Sequence, residues 1–151
     1  MTQRTIVMAA GGTGGHFFPA EALADALAKR GHRLVLMTDA RAGARTTGVF
    51  SGGKQYVLPG AGVAGRGPMR ALKAGLTLLS SAWKARAILR SVQPDAAVGF
   101  GGYPSVPPLL RARLLGRTHP ALIIHQGTAV LGKATAVLSR FPDVLASSFP
   151  S

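Results

Sequence analysis

The stretch Thr5–His16 reads TIVMAAGGTGGH, six apolar or small residues that run directly into a glycine-rich segment. A short apolar run bounded by glycines is typical of a strand buried on both faces of a parallel sheet. Glycines let the backbone approach a ligand closely, and the free N–H groups that begin a following helix suit a phosphate or pyrophosphate. The stretch therefore predicts a strand, an anion-binding loop and a helix. The alternative is a tight turn that binds nothing. The predicted loop residues are Gly11, Gly12, Thr13, Gly14 and Gly15.

The glycine spacing does not match the dinucleotide fingerprint G-x-G-x-x-G. Counting from Gly12 and Gly14, the third glycine position holds Phe17. Asp39 follows the second predicted strand, where an acidic residue binds the ribose in nicotinamide sites. A nucleotide-binding oxidoreductase domain therefore stays open as one alternative.

Downstream of this loop, predicted helices and strands alternate. Pro19 is placed as in a first helical turn, and apolar residues recur at helical spacing up to Lys29-Arg30-Gly31, a basic last turn with a glycine stop. A long helix is predicted from Pro68 to Ser91 and ends before Pro94. The other predicted strands are His32–Thr38, Gln55–Leu58, Asp95–Phe100, Ala121–Ile124 and Asp143–Ser147. The other predicted helices are Pro104–Leu115 and Leu131–Arg140. The connection before Gln55 has room for a short helix.

This alternation predicts an α/β fold, a Rossmann-like open parallel sheet with helices on both faces. The 151 residues are enough for one hydrophobic core and favour a single domain over residues 1–151. In such sheets ligands bind beyond the carboxyl ends of the strands, where the polar motifs of this sequence fall.

The composition excludes several classes of protein. The absence of cysteine excludes disulfides, thiolate nucleophiles and cysteine-ligated metal sites. An apolar fraction of 47% and a mean hydropathy of +0.25 argue against disorder, despite a formal net charge of +13. No apolar stretch reaches the roughly 18 residues of a membrane span, and the run after Arg4 is too short for a signal-peptide core. We therefore expect a cytoplasmic protein.

His16 is the histidine that lies beside the predicted anion site. An imidazole accepts a proton at neutral pH, and a positioned general base contributes about 10²–10⁴ in rate. We predict that His16 is catalytic. The alternative is a histidine that caps the helix or hydrogen-bonds a ligand without moving a proton. His32 and His119 are expected at the surface.

The segment Gly99–Ser105 (GFGGYPS) repeats the same pattern after the fourth predicted strand. Gly101 and Gly102 would allow close approach to a ligand, and Ser105 would cap the next helix or donate to a ligand oxygen. Tyr103 would stack on or hydrogen-bond a sugar or peptide, with a packing role as the alternative.

A third polar motif, His125-Gln-Gly-Thr128, follows the fifth predicted strand. Its side chains would extend the same cleft; the alternative is an ordinary polar loop.

Together these motifs resemble a known family. Three stretches resemble the N-terminal half of the MurG family of peptidoglycan glycosyltransferases. They are Gly11–His16 with Pro19-Ala20, then Gly101–Ser105, then the block from His125 through Ala129-Val-Leu-Gly132 to Ser148-Phe-Pro150. The resemblance spans essentially the whole chain. Members of that family convert lipid I to lipid II with N-acetylglucosamine from UDP-N-acetylglucosamine, and have two Rossmann-like domains that face a cleft, the GT-B arrangement.

The resemblance implies that this chain is the domain that binds the acceptor, lipid I, while UDP-N-acetylglucosamine binds through a C-terminal donor domain that is absent. The loops Gly11–Gly15 and Gly101–Ser105 would hold the acceptor diphosphate, and Tyr103 would line the acceptor site. His16 would activate the muramyl C4 hydroxyl, which attacks the anomeric carbon with inversion as UDP leaves. No cofactor and no metal are implied, and the chain alone is expected to transfer no sugar.

The third motif departs from the family pattern. The family has His-Glu-Gln-Asn where this chain has His125-Gln-Gly-Thr128, so three of four positions differ. Thr128 would offer a hydroxyl where the family's asparagine offers an amide that both donates and accepts.

The charge is concentrated in one segment. Between Asp39 and Asp95 there is no acidic residue, while nine Lys or Arg residues occur. The helix Pro68–Ser91 carries more apolar residues than one core-facing stripe requires. A second apolar strip among cations suits a peripheral position on an anionic membrane, as the resemblance also implies for the cytoplasmic face of the bacterial inner membrane. The alternative is a buried amphipathic helix with a solvated basic face. The predicted membrane face comprises Leu76, Leu79, Trp83, Lys73, Lys84 and Arg86.

Nucleic acid is not expected, because the cations are spread over several elements, aromatic residues are only 6% and no recognised nucleic-acid motif is present. Two alternatives remain besides the oxidoreductase: a membrane-recruiting subunit of a split UDP-sugar glycosyltransferase, and a membrane-surface module without catalysis.

Overall fold

Strands and helices alternate along the chain, as the sequence predicts, except that the second and third strands follow each other without a helix. The structure is a computed structural model that describes residues 2–11, 14–60, 67–116, 119–127 and 133–148. The strands are β1 (Thr5–Ala9), β2 (Arg33–Asp39), β3 (Lys54–Leu58), β4 (Ala96–Gly99), β5 (Ala121–Gln126) and β6 (Val144–Ser147). The helices are α1 (Gly14–Lys29), α2 (Pro68–Val92), α3 (Val106–Arg113) and α4 (Lys133–Leu138), and a 3₁₀ turn, Tyr103–Ser105, precedes α3.

All six strands form one parallel sheet in the order β3-β2-β1-β4-β5-β6. Val7 of β1 pairs with Val35 of β2 on one side and with Ala97 of β4 on the other. The predicted open parallel sheet is therefore confirmed. The chain reverses its direction of travel across the sheet between β1 and β4, and ligands of doubly wound sheets bind at such a switch point.

The two faces of β1 explain why its sequence is continuously apolar. Ile6 and Met8 face a core layer with Phe17 of α1, whereas Val7 faces the opposite layer with Leu89 of α2. Successive side chains of a strand point to opposite faces, so a sheet covered on both sides needs apolar residues at every position.

Helix α1 begins earlier than the sequence suggests. Pro19 does not lie in the first turn; the helix starts at Gly14, and Pro19 is inside it. Proline lacks an N–H, so Pro19 leaves the carbonyl of Gly15 without its usual helical partner. Because α1 starts at Gly14, the residues Gly14, Gly15 and His16 belong to the first helical turn and not to the end of a loop.

Smaller differences concern the connections and helix ends. Turns, without a helix, join β2 to β3 over residues 40–53, so the room left for a short helix there is not used. The predicted helix Pro104–Leu115 is split into the 3₁₀ turn and α3, and α4 ends at Leu138, two residues before Arg140.

Helix α2 buries a face of small residues. Ser81, Ala82, Ala85 and Leu89 are its buried residues, and the Ser81 hydroxyl donates a hydrogen bond to the Pro59 carbonyl at the end of β3. The small side chains of Ser81, Ala82 and Ala85 let α2 lie close to the sheet and to α3. Leu76, Leu79 and Trp83 are on the exposed side of the helix. Among the described residues, no helix is both long enough and apolar enough to cross a membrane.

Candidate functional site

The carboxyl ends of β1, β4 and β5 bring three predicted motifs to one edge of the sheet. Ala9 pairs with Gly99, and Gly99 pairs with Ile124, so the three strand ends are adjacent. Gly11 and Gly101 follow β1 and β4, and His125 is in the last two residues of β5. This edge includes the switch point between β1 and β4, where the fold leaves room for a ligand.

His16 lies across the second glycine pair. A β-carbon built on Gly101 would stand 3.2 Å from Nδ1 of His16, and one built on Gly102 would stand 3.7 Å from its Nε2. The first turn of α1 therefore places the imidazole directly over the turn that follows β4. The structure brings together the predicted base and the second predicted phosphate loop, which are 85 positions apart in the sequence.

Both glycines of this turn have a backbone that favours glycine. The φ angles are +82° at Gly101 and +72° at Gly102, in the left-handed region that side chains with a β-carbon avoid. These glycines therefore allow both the left-handed backbone of the turn and the close approach of His16 to it.

His125 belongs to the same cluster. Its ring lies 5.5 Å from that of Phe100, centroid to centroid. Burial lowers the pKa of His125, and the neighbouring His16 lowers it further. His125 therefore favours its neutral form, in which one ring nitrogen accepts and the other donates a hydrogen bond.

Thr135 lies next to the candidate site, although no sequence motif predicted it there. Its Oγ1 would lie 3.3 Å from a β-carbon on Gly101, nearly as close as Nδ1 of His16, and the residue is buried. A lone threonine in a short apolar helix carries no signal by itself. Only the packing of α4 against the end of the sheet shows its position.

Ser105 does not fit its predicted role. It is fully buried, and its hydroxyl donates to the Gly102 carbonyl at 2.8 Å. It makes no side-chain cap for α3. Ser105 therefore holds the shape of the turn, and its hydroxyl does not face a ligand.

Gly11 is surrounded by protein. A β-carbon there would lie 3.1 Å from Oγ1 of Thr38, 3.2 Å from Oδ1 of Asp39 and 3.2 Å from Cβ of Pro104. Gly11 is needed so that β1 can pass between the end of β2 and the 3₁₀ turn. This packing explains the glycine without a ligand at its α-carbon.

The carboxylate of Asp39 is hydrogen-bonded to neighbouring residues of the same chain. One carboxylate oxygen accepts from the Arg41 guanidinium at 3.0 Å and the other from the Ala42 amide at 3.0 Å. An acid that binds a nicotinamide ribose needs a free carboxylate oxygen, so this arrangement does not support the oxidoreductase alternative.

Tyr103 is the first residue of the 3₁₀ turn that follows Gly102. It is partly exposed and lines a narrow cleft with Asp39, Gly60 and Ser81. Its contact with a sugar or peptide stays a prediction. Gly14 and Gly15 are exposed in the first turn of α1. The predicted residues Gly12, Thr13 and Thr128 lie outside the described residues.

The predicted membrane face is at the surface of α2. Leu76, Leu79 and Trp83 are 60%, 56% and 64% exposed. Lys73 and Lys84 are exposed, and Arg86 is half-buried. These three apolar side chains are therefore not part of the core of this domain, and the membrane face stays a prediction.

The acidic residues do not neutralise this helix. Each of the five acids is ion-paired with a base outside α2, so the five cations of α2 have no carboxylate partner among the described residues. The α2 cations are Arg70, Lys73, Lys84, Arg86 and Arg90.

A doubly wound sheet with glycine-rich turns and a histidine at its switch point defines an α/β domain suited to phosphorylated ligands. The family comparison is more specific: residues 6–147 match the glycosyltransferase family 28 N-terminal domain. The chain belongs to this family.

Curated relatives carry the name UDP-N-acetylglucosamine–N-acetylmuramyl-(pentapeptide) pyrophosphoryl-undecaprenol N-acetylglucosamine transferase. The protein of Gluconobacter oxydans is 58% identical over 97% of this chain, and that of Granulibacter bethesdensis is 54% identical over 99%. The chain spans 40% and 38% of their lengths, respectively.

Solved structures agree with the fold. The crystal structure of Acinetobacter baumannii MurG superposes with a TM-score of 0.81 at 34% identity, covering 99% of this chain and 42% of that one. The calicheamicin glycosyltransferase CalG4 superposes with a TM-score of 0.56 at 22% identity over 88% of this chain and 33% of that one, which shows the fold alone.

Proposed function

We propose that this chain is the acceptor-binding half of an inverting N-acetylglucosaminyltransferase. Its acceptor would be a polyprenyl pyrophosphate that carries N-acetylmuramic acid and a peptide, and its donor UDP-N-acetylglucosamine would bind in a second domain. The names of the relatives support the assignment of these two substrates. This chain spans 38–40% of the relatives' length, which supports the assignment of acceptor and donor binding to different domains.

The position of His16 over Gly101 and Gly102 is the observation that carries the proposal. A diphosphate at this edge would meet backbone N–H groups at the start of α1 and at the turn after β4. The acceptor hydroxyl next to that diphosphate would then lie near the imidazole of His16.

In this arrangement His16 removes the proton of the acceptor hydroxyl as its oxygen attacks the anomeric carbon of the donor. The bond between that carbon and the UDP oxygen breaks, and UDP leaves with the electron pair. Tyr103 would contact the sugar or the peptide beside the cleft it lines. Thr135 and His125 would fix the ring of His16 from the side of α4 and β5.

The test is a chimera in which residues 1–151 replace the corresponding part of the Gluconobacter oxydans relative. We expect the chimera to transfer N-acetylglucosamine to a lipid I analogue, and the 151-residue chain alone to transfer none. His16→Gln in the chimera should lower kcat by about 10²–10⁴. The control His119→Gln, at the opposite edge of the sheet, should keep the rate. An unchanged kcat in the His16 variant would reject its role as a base.

The exposed strip of α2 supports a second part of the proposal, peripheral attachment to an anionic membrane. An acceptor anchored by a polyprenyl chain is confined to the bilayer, so an enzyme that acts on it gains from a membrane-facing surface. Apolar side chains would enter the headgroup region while the unpaired cations contact anionic lipids, at about 1 kcal/mol for each cation.

Vesicle flotation tests this attachment. The wild-type chain should float with phosphatidylglycerol vesicles at low salt and less at high salt. Replacing Leu76, Leu79 and Trp83 by Ser should abolish flotation while the melting temperature changes little, because these side chains are exposed. A control that replaces the exposed Leu23, Val57 and Val137 by Ser should still float. Flotation of both triple variants at the wild-type level would contradict the proposed face.

A further inference from the structure

Thr135, in helix α4, is a buried residue beside the candidate site, with 4% of its surface exposed. Its carbonyl accepts the Ser139 N–H at 2.7 Å, but its hydroxyl forms no hydrogen bond within the described part of the chain. Buried polar groups are almost always hydrogen-bonded. We therefore expect the hydroxyl of Thr135 to have a partner among the groups that the fold brings near it.

A ring nitrogen of His16 is such a group. A β-carbon built on Gly101 would lie 3.3 Å from Oγ1 of Thr135 and 3.2 Å from Nδ1 of His16. Gly101 has no side chain, so the hydroxyl and the ring nitrogen both border the small space that it leaves open. One bridging water molecule, or a small movement of either side chain, is enough to connect them by hydrogen bonds.

The two nitrogens of His16 have different surroundings. Nδ1 lies beside Gly101 and Thr135, whereas Nε2 is 3.7 Å from a β-carbon built on Gly102. A neutral imidazole carries one proton, and the hydrogen bond made by one nitrogen decides which of the two carries it. Only the nitrogen without the proton acts as a base. A hydroxyl that accepts a hydrogen bond from Nδ1 would therefore leave Nε2 as the base.

We propose that Thr135 is a positioning residue for His16, whose Nδ1–H donates to the Thr135 hydroxyl directly or through one water molecule. The inference rests on the proposed function and adds to it which nitrogen moves the proton and what selects that nitrogen. Nε2 takes the proton of the acceptor hydroxyl as its oxygen bonds to the anomeric carbon. His16 then carries a proton on both nitrogens, and Nδ1–H still donates to Thr135 until Nε2 returns its proton to solvent.

The kinetic test uses the chimera described above. Thr135→Val removes the hydroxyl, and we expect kcat to fall about five- to tenfold, which is the effect of one hydrogen bond. The KM for the acceptor should change less than about twofold, because Thr135 acts through His16 and not on the substrate. Thr135→Ser keeps a hydroxyl and should restore kcat to within about threefold of the unsubstituted chimera. The control Thr77→Val removes a hydroxyl that bonds within α2 and should keep both constants.

A double variant shows whether Thr135 acts through His16. Thr135→Val added to His16→Gln should be no slower than His16→Gln alone, because the group that Thr135 positions is already gone. A further five- to tenfold loss in the double variant, or equal losses in Thr135→Val and Thr135→Ser, would overturn the positioning role and leave His16 as the base. Full activity in both His16→Gln and Thr135→Val would reject the proposed base, and this inference with it.

A second measurement needs no catalysis. Long-range ¹H–¹⁵N NMR spectra of the labelled 151-residue chain report which nitrogen of His16 carries the proton, at about pH 8.5, where an imidazole is neutral. We expect the proton on Nδ1 in the wild type, Thr135→Ser and Thr77→Val, and a shift toward Nε2 in Thr135→Val. Melting temperatures check the fold of each variant. The same tautomer in Thr135→Val as in the wild type would overturn the proposal. A tautomer change in His125→Gln alone would overturn it as well, since it would assign the role to His125.

Discussion

Nδ1 of His16 lies 3.2 Å from the position that a β-carbon on Gly101 would occupy. A β-carbon at Gly101 would therefore require the imidazole or the turn after β4 to shift by a few tenths of an ångström. This close approach connects the base proposed for the reaction with the loop proposed for the diphosphate, and a single methyl group at Gly101 would disturb it.

Gly101→Ala tests this contact. The substitution places a β-carbon at φ +82° and against His16, so we expect a loss of about 1–2 kcal/mol in the free energy of unfolding. We also expect at least about tenfold weaker binding of a sugar pyrophosphate, since the methyl group occupies the space beside His16. Thermal unfolding and calorimetric titration measure the two effects.

Gly43→Ala is the matched control. Gly43 has φ +66° and nothing within 4 Å of a built β-carbon, so it reports the backbone strain alone. It should lose similar stability and keep the pyrophosphate affinity. If both variants bind pyrophosphate equally, the contact with His16 has no role in binding.

Gly99→Ala tests the packing that positions the turn. A β-carbon there would stand 2.0 Å from Cδ1 of Leu109, so α3 must shift or Leu109 must change rotamer. Overpacking of this kind costs about 1–3 kcal/mol of stability. Leu109→Ala added to Gly99→Ala should cost less than the sum of the two single changes, because it makes room for the methyl group. Strict additivity in chemical denaturation would contradict the clash.

Thr38→Val tests a buried hydroxyl. Oγ1 of Thr38 is buried and has no hydrogen-bond partner among the described residues. Burial of a hydroxyl without a partner costs about 1–3 kcal/mol, so we expect the valine variant to be as stable as the wild type or more stable. Ser81→Ala, which removes the hydrogen bond to Pro59, should instead lose about 1 kcal/mol. Marked destabilisation by Thr38→Val would show that the hydroxyl is bonded.

His125 makes stability depend on pH. Burial and the nearby His16 lower the pKa of His125 in the folded chain, so the unfolded chain binds more protons in the window below about pH 6.5. Stability should therefore fall as the pH drops from 7 through that window. His125→Gln should flatten this part of the profile, and His16→Gln should reduce its steepness in part. A profile from urea unfolding that is as steep in His125→Gln as in the wild type would contradict this assignment.

The sheet was predictable because both of its faces are covered. Val7 and its neighbours form an unbroken apolar run, which only a strand buried on both faces requires, and the glycines after it mark the carboxyl edge. The same logic placed β4 before Gly101. The start of α1 was not predictable from Pro19, because proline is most common in the first turn and is only occasionally accepted one turn further on.

The roles of individual side chains depend on tertiary contacts, which the local sequence does not reveal. Ser105 has the residue type of a cap or ligand donor, but its hydroxyl bonds to Gly102 inside the turn. Thr135 reaches the site only because α4 packs over the sheet. In α2, spacing identified an apolar stripe, yet the buried side is formed by Ser81, Ala82 and Ala85, since close packing needs small residues.

The most direct measurement compares two ligands on the 151-residue chain by NMR titration. One is a water-soluble analogue of N-acetylmuramyl-pentapeptide pyrophosphate with a short prenyl chain, and the other is UDP-N-acetylglucosamine. The proposed function predicts saturable shifts at His16, Gly101, Gly102 and Tyr103 with the acceptor analogue, and none there with the donor. Binding of the donor at these residues, without binding of the acceptor analogue, would contradict the assignment of this domain to the acceptor.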